Sequence, residues 1–238
     1  MLLLIQYTLI FASVLILVAL GGCFSEHSGV INIGLEGIMV MGALGGALML
    51  RFLSPDTPAI LIILLVMLAS IVCGMIYSLL LAVAAINFKA DQTLVGTALN
   101  LLGTAAAVVV VRAINMASDP NNVSSTVSYI ATKKALLVRI GGFEFNWFML
   151  VALLALIISY VVLYKTRFGL RLMACGEHPQ AADSVGINVQ KMRYAGVLIS
   201  GLLGGLGGIV YITAGVSEWK FENGVAGFGF LALAVMIF

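Results

Sequence analysis

The chain has 238 residues, of which 62% are hydrophobic and 9% charged, with a mean hydropathy of +1.17 and a formal net charge of +2. Soluble domains carry about 25% charged residues, so this composition excludes one; it also excludes disorder, which needs low hydrophobicity, and a nucleic-acid surface, which needs clustered positive charge. The chain is an integral membrane protein, and at roughly 20 residues per span its length accommodates about five to seven helices.

Residues 1–25 carry no charge, and a first span is predicted from about Leu4 to Phe24. The first Lys or Arg is Arg51, so the basic n-region of a secretory signal peptide is missing and this segment is expected to be a retained helix. A second segment, Gly29–Leu50, is interrupted by Glu36. A third, Thr57–Phe88, is long enough to cross with tilt. The fourth runs from Gln92 to Val111, the fifth from Phe145 to Tyr164 and the sixth from Tyr194 to Ser217. A seventh begins near Val225 and is still apolar at Phe238. The expected fold class is therefore all-α: a polytopic transmembrane helical bundle of six complete spans plus the start of a seventh. It forms one transmembrane domain over 1–238, and the half-formed last span predicts a C-terminally incomplete sequence.

Two long polar segments separate the spans. Arg112–Glu144 contains SDPNNVSSTVS, whose Pro, Asn and Ser content reads as a loop. Lys165–Arg193 holds Lys165, Arg167, Arg171, Lys191 and Arg193, all near span ends, whereas Lys133 and Lys134 of the other loop lie well away from either span. Flanking basic residues mark the cytoplasmic side, which places 165–193 in the cytoplasm and the N-terminus outside unless Gly29–Leu50 is re-entrant.

Within the apolar runs, Gly42 and Gly46, Gly201 and Gly205, and Gly204 and Gly208 are spaced for close helix packing; the same close approach also serves helices that slide. Asn32 and Glu36 are four apart, which predicts one helical face. An intramembrane carboxylate usually faces a protein interior or a water-filled path, so this pair is a candidate for a translocation path or its support, the bland reading being a carboxylate near a helix end. Asn100 is a candidate for the same path or for an interhelical hydrogen bond. Cys23, Cys73 and Cys175 have no metal-like spacing, and His27 and His178 lack partners at ligand spacing. No GxSxG, HExxH or GxxxxGK[ST] occurs, so neither catalysis nor ATP binding is expected in this chain.

In the second loop, Pro179 is suited to open a short helix and Gly186 to close it. Such a helix either docks in a groove of a partner or simply connects two spans. Gln180-Ala181-Ala182-x-x-x-Gly186 is similar to the EAA loop of ABC-importer permeases, with Gln in place of the first Glu. The surrounding RFGLRLMACGEHPQAADSVGIN resembles the branched-chain amino acid and simple-sugar permease family. GVINIGLEG at Gly29–Gly37 and NFKADQTLVGTALNLL at Asn87–Leu102 resemble its nucleoside-type branch.

This resemblance implies a bacterial inner-membrane permease that works by alternating access and carries a nucleoside. Its implied partners are a cytoplasmic ABC ATPase that binds ATP and Mg, a second permease subunit, and an extracellular or lipoprotein solute-binding protein, all within or beside the lipid bilayer. It implies an ATPase-coupling surface at Glu177, Gln180, Ala181, Ala182 and Gly186. Gln180 cannot make the salt bridge that a Glu could. Alternatives of the same class carry a branched-chain amino acid or a sugar; a secondary transporter driven by an ion gradient would need neither ATPase nor docking loop.

Overall fold

The computed structural model describes residues 2–54, 56–129, 137–140, 143–213 and 218–237. The helices are α1 (Leu2–His27), α2 (Leu35–Phe52), α3 (Ala59–Ala82, ending in a π turn over Val83–Asn87), α4 (Gln92–Ser118), α5 (Trp147–Lys165), α6 (Arg167–Glu177), α7 (Pro179–Ser184), α8 (Val189–Thr213) and α9 (Phe228–Ile237). Six of them, α1 to α5 and α8, are long and apolar enough to cross a membrane. The protein is a multi-pass, all-α membrane protein. Short strands occupy two connections: β1 (Thr126–Ser128) pairs antiparallel with β4 (Glu218–Lys220), and β2 (Leu137–Ile140) with β3 (Phe143–Asn146).

At the centre stands α8, packed on α1, α2 and α3; α4 lies against α2, and α5 against α1. Glycines let these backbones meet. A methyl group at Gly42 would strike the Gly205 backbone, one at Gly208 the Met39 carbonyl, and one at Gly201 the Ser78 side chain. One at Gly46 would lie 2.6 Å from Ile209 Cδ1, while one at Gly204 would touch Ile38 at 3.0 Å. Ser70, buried in α3, donates to the carbonyls of both Gly42 (2.9 Å) and Gly205 (2.7 Å), joining α2, α3 and α8.

Side-chain caps start the outer elements. Asp91 accepts from Thr93 N (2.8 Å) and Leu94 N (3.1 Å) to open α4, and Asn146 accepts from Phe148 N (3.0 Å) to open α5. At one end of the bundle Arg51 donates to Asn115, which in turn donates to the carbonyls of Ser124 (2.9 Å) and Thr126 (3.0 Å). Beside it Glu222 accepts from Arg112 and Lys220, each at 2.7 Å, and from Ser125 at 3.0 Å. These cations hold the Glu222 carboxyl well below the usual carboxylate range, at about 2.

Three expectations are corrected. Gly29–Leu50 is not one interrupted helix: Ser28–Gly34 is non-helical and α2 begins only at Leu35, so Asn32 and Glu36 do not share a helical face. The physical reason is the turn at Gly29 (φ +83°) followed by backbone bonded to side chains of other helices. The segment from Arg112 does not begin as a loop, because α4 continues to Ser118 with Arg112 neutralised by Glu222. Nor is Lys165–Arg193 mainly loop: α6 and α7 fill most of it, and α8 starts at Val189 rather than Tyr194. Lys133, Lys134 and residues 214–217 lie outside the described residues.

Candidate functional site

The unwound stretch Ser28–Gly34 is the least expected element, and its depth follows from its neighbours. Gly196 packs on Ser28, Ser200 accepts a hydrogen bond from Asn32 Nδ2 (2.8 Å), and Gly204 meets Ile38. Ser200 lies seven residues beyond Arg193, about 10 Å along the helix axis at 1.5 Å per residue. The stretch therefore dips into the apolar layer, where irregular backbone persists only if protein groups satisfy it.

They do so one by one. Ser25 Oγ donates to the Val30 carbonyl (2.6 Å), Ile31 N donates to Gln92 Oε1 (2.7 Å), and Asn100 Nδ2 donates to the Ile33 carbonyl (2.9 Å). Asn100 Oδ1 accepts from Gly37 N (2.8 Å), satisfying one of the free first-turn N–H groups of α2 from another helix. Between these two amides Gly96 lies against Ile33 and Gly34, and just beyond Asn100 Gly103 lies against Gly37. Gln92, Gly96, Asn100 and Gly103 thus form one face of α4, on which the 29–37 motif rests. The two sequence motifs are two sides of a single structure.

Glu36 stands in the first turn of α2 and is buried. Its Oε1 accepts from Gly227 N (2.8 Å) and its Oε2 from Gly229 N (2.7 Å). A carboxylate thereby fills the N-terminus of α9, where free N–H groups and the helix dipole favour negative charge. Two broken-helix starts meet at this depth: α2, capped by Asn100, and α9, capped by Glu36. Asn32 is 2% exposed, and its Oδ1 has no hydrogen-bond partner.

At the opposite end from β1 and β4, Thr166 closes a tight elbow between α5 and α6. Its hydroxyl donates to the Val162 carbonyl (2.6 Å) and accepts from Gly169 N (3.3 Å). On α6, Gly169, Leu172 and Cys175 face inward. Burial pushes the Cys175 thiol above its ordinary range, against the opposing pull of Arg193. Pro179 is at the start of α7, and Gly186 (φ +82°) ends it: Gly186 N donates to Asp183 O (2.9 Å) and Ile187 N to Ala182 O (3.1 Å), a Schellman closure. Ala182 is buried, whereas Glu177, Gln180, Ala181 and Gly186 are exposed. A cleft of about 410 Å³ lies beside them, lined by Pro179, Gln180, Asp183, Asn188, Val189 and Gln190.

The two regions touch. A methyl group on Gly29 would lie 3.2 Å from Gly176 Cα, and one on Gly176 would lie 2.5 Å from the His27 carbonyl. The last turn of α6 is therefore in backbone contact with the start of the unwound stretch. The structure brings Asn32, Glu36 and Asn100 into one neighbourhood, and Glu177 to Gly186 into another. Sequence reasoning missed Gln92, Ser200, Gly227, Gly229 and the helix α6. A polar and small stripe at 92, 96, 100 and 103 was the available signal for the first; no local signal links Glu36 to Gly227.

The family described as branched-chain amino acid transport system / permease component matches residues 4–238. The guanosine ABC transporter permease protein NupQ of Bacillus subtilis is 42% identical over 237 residues, covering 97% of this chain and 73% of that protein. The nucleoside ABC transporter permease protein NupC of Lactococcus lactis is 38% identical over the same length, covering 97% and 73%. A putative glucose ABC transporter permease protein of Haloferax volcanii is 31% identical over 229 residues, covering 95% and 67%. No solved structure matches the chain. The chain belongs to the branched-chain amino acid transport system permease component family.

Proposed function

We propose that this chain is the membrane-spanning permease subunit of a bacterial ABC importer that carries nucleosides inward across the cytoplasmic membrane. The observation that carries the cargo is the 42% identity, over 97% of the chain, to a protein named as a guanosine permease. In this reading a partner ATPase binds ATP and Mg on the cytoplasmic side and docks on α7 and its two flanks through Glu177, Gln180, Ala181 and Gly186, with buried Ala182 anchoring the helix. A second permease subunit completes the path, and a solute-binding protein delivers cargo from outside.

The geometry suits alternating access. Docking that differs between two nucleotide states biases the membrane helices. Motion of α6 reaches the unwound stretch through the Gly176–Gly29 contact. Asn32, Glu36 and Asn100 lie where that stretch can rearrange, and Asn32 Oδ1 is a spare acceptor for a cargo hydroxyl or amino group. No residue of this chain performs covalent chemistry in this scheme.

The test is uptake of labelled guanosine, adenosine, leucine and glucose with and without this gene. Selective loss of nucleoside uptake, sensitive to ATP depletion but not to collapse of the proton gradient, is the expected result. Loss of glucose uptake alone favours the second reading, a sugar permease, which the 31% identical relative supports. Dependence on an ion gradient alone overturns the ATP-driven class. Coupling is tested at Gly186, whose positive φ is the constraint, since an added methyl would meet nothing within 4 Å. Gly186→Asn should therefore retain uptake and Gly186→Val lose it.

A further inference from the structure

An apolar groove of about 440 Å³ runs between α1, α3, α5 and α8, following α5 from Val151 to Val162, which is close to the α6 end. Phe24, Met67, Val151, Ile158, Val162 and Leu202 form its walls. It opens along α5, where Leu154 is 47% and Ile158 58% exposed, and Ser159 supplies the one hydroxyl in its lining. Three residues past Val162 begins a basic cluster: Lys165, Arg167 and Arg171, all exposed. Among the described residues no carboxylate lies within ion-pair distance of any of the three.

The elbow at Thr166 fixes these cations to the groove. Gly169 packs directly on the carbonyls of Val162 and Leu163, and Thr166 bridges Val162 O to Gly169 N, so the start of α6 sits against the end of α5. Leu170, 64% exposed, stands on the same outer face as Arg167 and Arg171. An apolar side chain between arginines on one helix face is the pattern of a helix lying in a membrane interface.

We propose that this is a binding site for an anionic phospholipid, with one acyl chain in the groove along α5 and the phosphate of the headgroup held by Lys165, Arg167 and Arg171. Lys and Arg are the natural partners of phosphate oxygens, and basic pockets between spans bind anionic headgroups. The groove takes an acyl chain and the cations at its end take an anionic headgroup. A lipid uses both. The site depends only on the bilayer and not on which solute is carried.

The intact transporter is reconstituted in vesicles of equal parts phosphatidylglycerol and phosphatidylcholine, with a photoreactive acyl chain on one lipid or the other. Each basic residue near the surface strengthens attraction to anionic lipid about fivefold, so crosslinking by phosphatidylglycerol should exceed that by phosphatidylcholine about tenfold or more and map to α5 and α8. Replacing all three cations (K165Q, R167Q, R171Q) should remove the preference. Ala155→Trp, which fills the groove and keeps the charges, should abolish crosslinking by both lipids. Equal labelling of the wild type by the two lipids, or labels only on partner chains or on other faces, overturns the proposal. That wild-type comparison decides the matter even where a variant fails to insert.

Discussion

Replacing Glu36 by Gln changes one atom in the side chain and should destabilise the bundle measurably. The carboxylate accepts from Gly227 N at 2.8 Å and from Gly229 N at 2.7 Å, the second bond fully buried. Glutamine keeps one acceptor and turns an NH2 group toward the other N–H. That leaves a buried donor unsatisfied, about 1–3 kcal/mol, and weakens the surviving bond from charge-assisted to neutral, about 1 kcal/mol more. The sum is about 2–4 kcal/mol. At about 2–4 °C per kcal/mol for a chain of this size, the Tm of detergent-solubilised protein should fall by roughly 5–15 °C. Hydrogen exchange should also accelerate at Gly227 and Gly229 while the amides of α8 stay protected. A variant whose Tm lies within about 2 °C of the wild type, with unchanged exchange at those two amides, would refute the argument that Glu36 holds α9 through its charge.

Other perturbations follow from the same geometry. Gly208→Ala should destabilise by about 1–3 kcal/mol, because the new methyl meets the Met39 carbonyl, which cannot yield; Gly204→Ala, four residues earlier, meets side-chain atoms of Ile38 and Leu35 and should cost less than about 1 kcal/mol. Thermal melts of the two variants side by side test this. Cys175 should resist maleimide at pH 7 in the native protein and react after denaturation, since burial raises its pKa and hides it; fast native labelling would contradict its position. Glu222 has a folded pKa depressed from 4.5 to about 2, so its contribution is complete above the unfolded value and is lost only as pH falls through the folded one. Exchange protection of the β1–β4 pair should therefore be flat from pH 8 to 5, and loss of protection near pH 6 would contradict the ion cluster.

The spans were legible because a charge-free run of about 20 residues has few other fates. Their ends were less so. Arg112 read as the end of a span, yet Glu222, 110 positions away, neutralises it and lets α4 continue. The unwound stretch was illegible for a similar reason: Val-Ile-Asn-Ile looks like a helix in a membrane, and only Gln92 and Asn100 on another helix make its open backbone tolerable there. The Pro179 and Gly186 signals located α7 because a proline start and a positive-φ stop are local. Helix α6 carried an amphipathic pattern at Gly169, Leu172 and Cys175 that its charges obscured. The pairing of the two motifs across α4 needed coordinates, although each motif was visible alone.

The bond between Glu36 and Gly227 joins positions 191 residues apart, and this sets an order for biogenesis. At about 5–20 residues per second, Gly227 leaves the ribosome on the order of 10–40 s after Glu36. Through that interval the carboxylate has no amide partner, and the apolar run from Ile38 to Leu50 must offset about 2.5–3.5 kcal/mol for carrying it into the membrane. The second span is therefore committed early and anchored late. The packing of α2 on α3, α4 and α8 can form before α9 exists, but the acid at its start is satisfied only when Gly227 and Gly229 arrive, and any nascent chain halted before Gly227 leaves that buried acid without them.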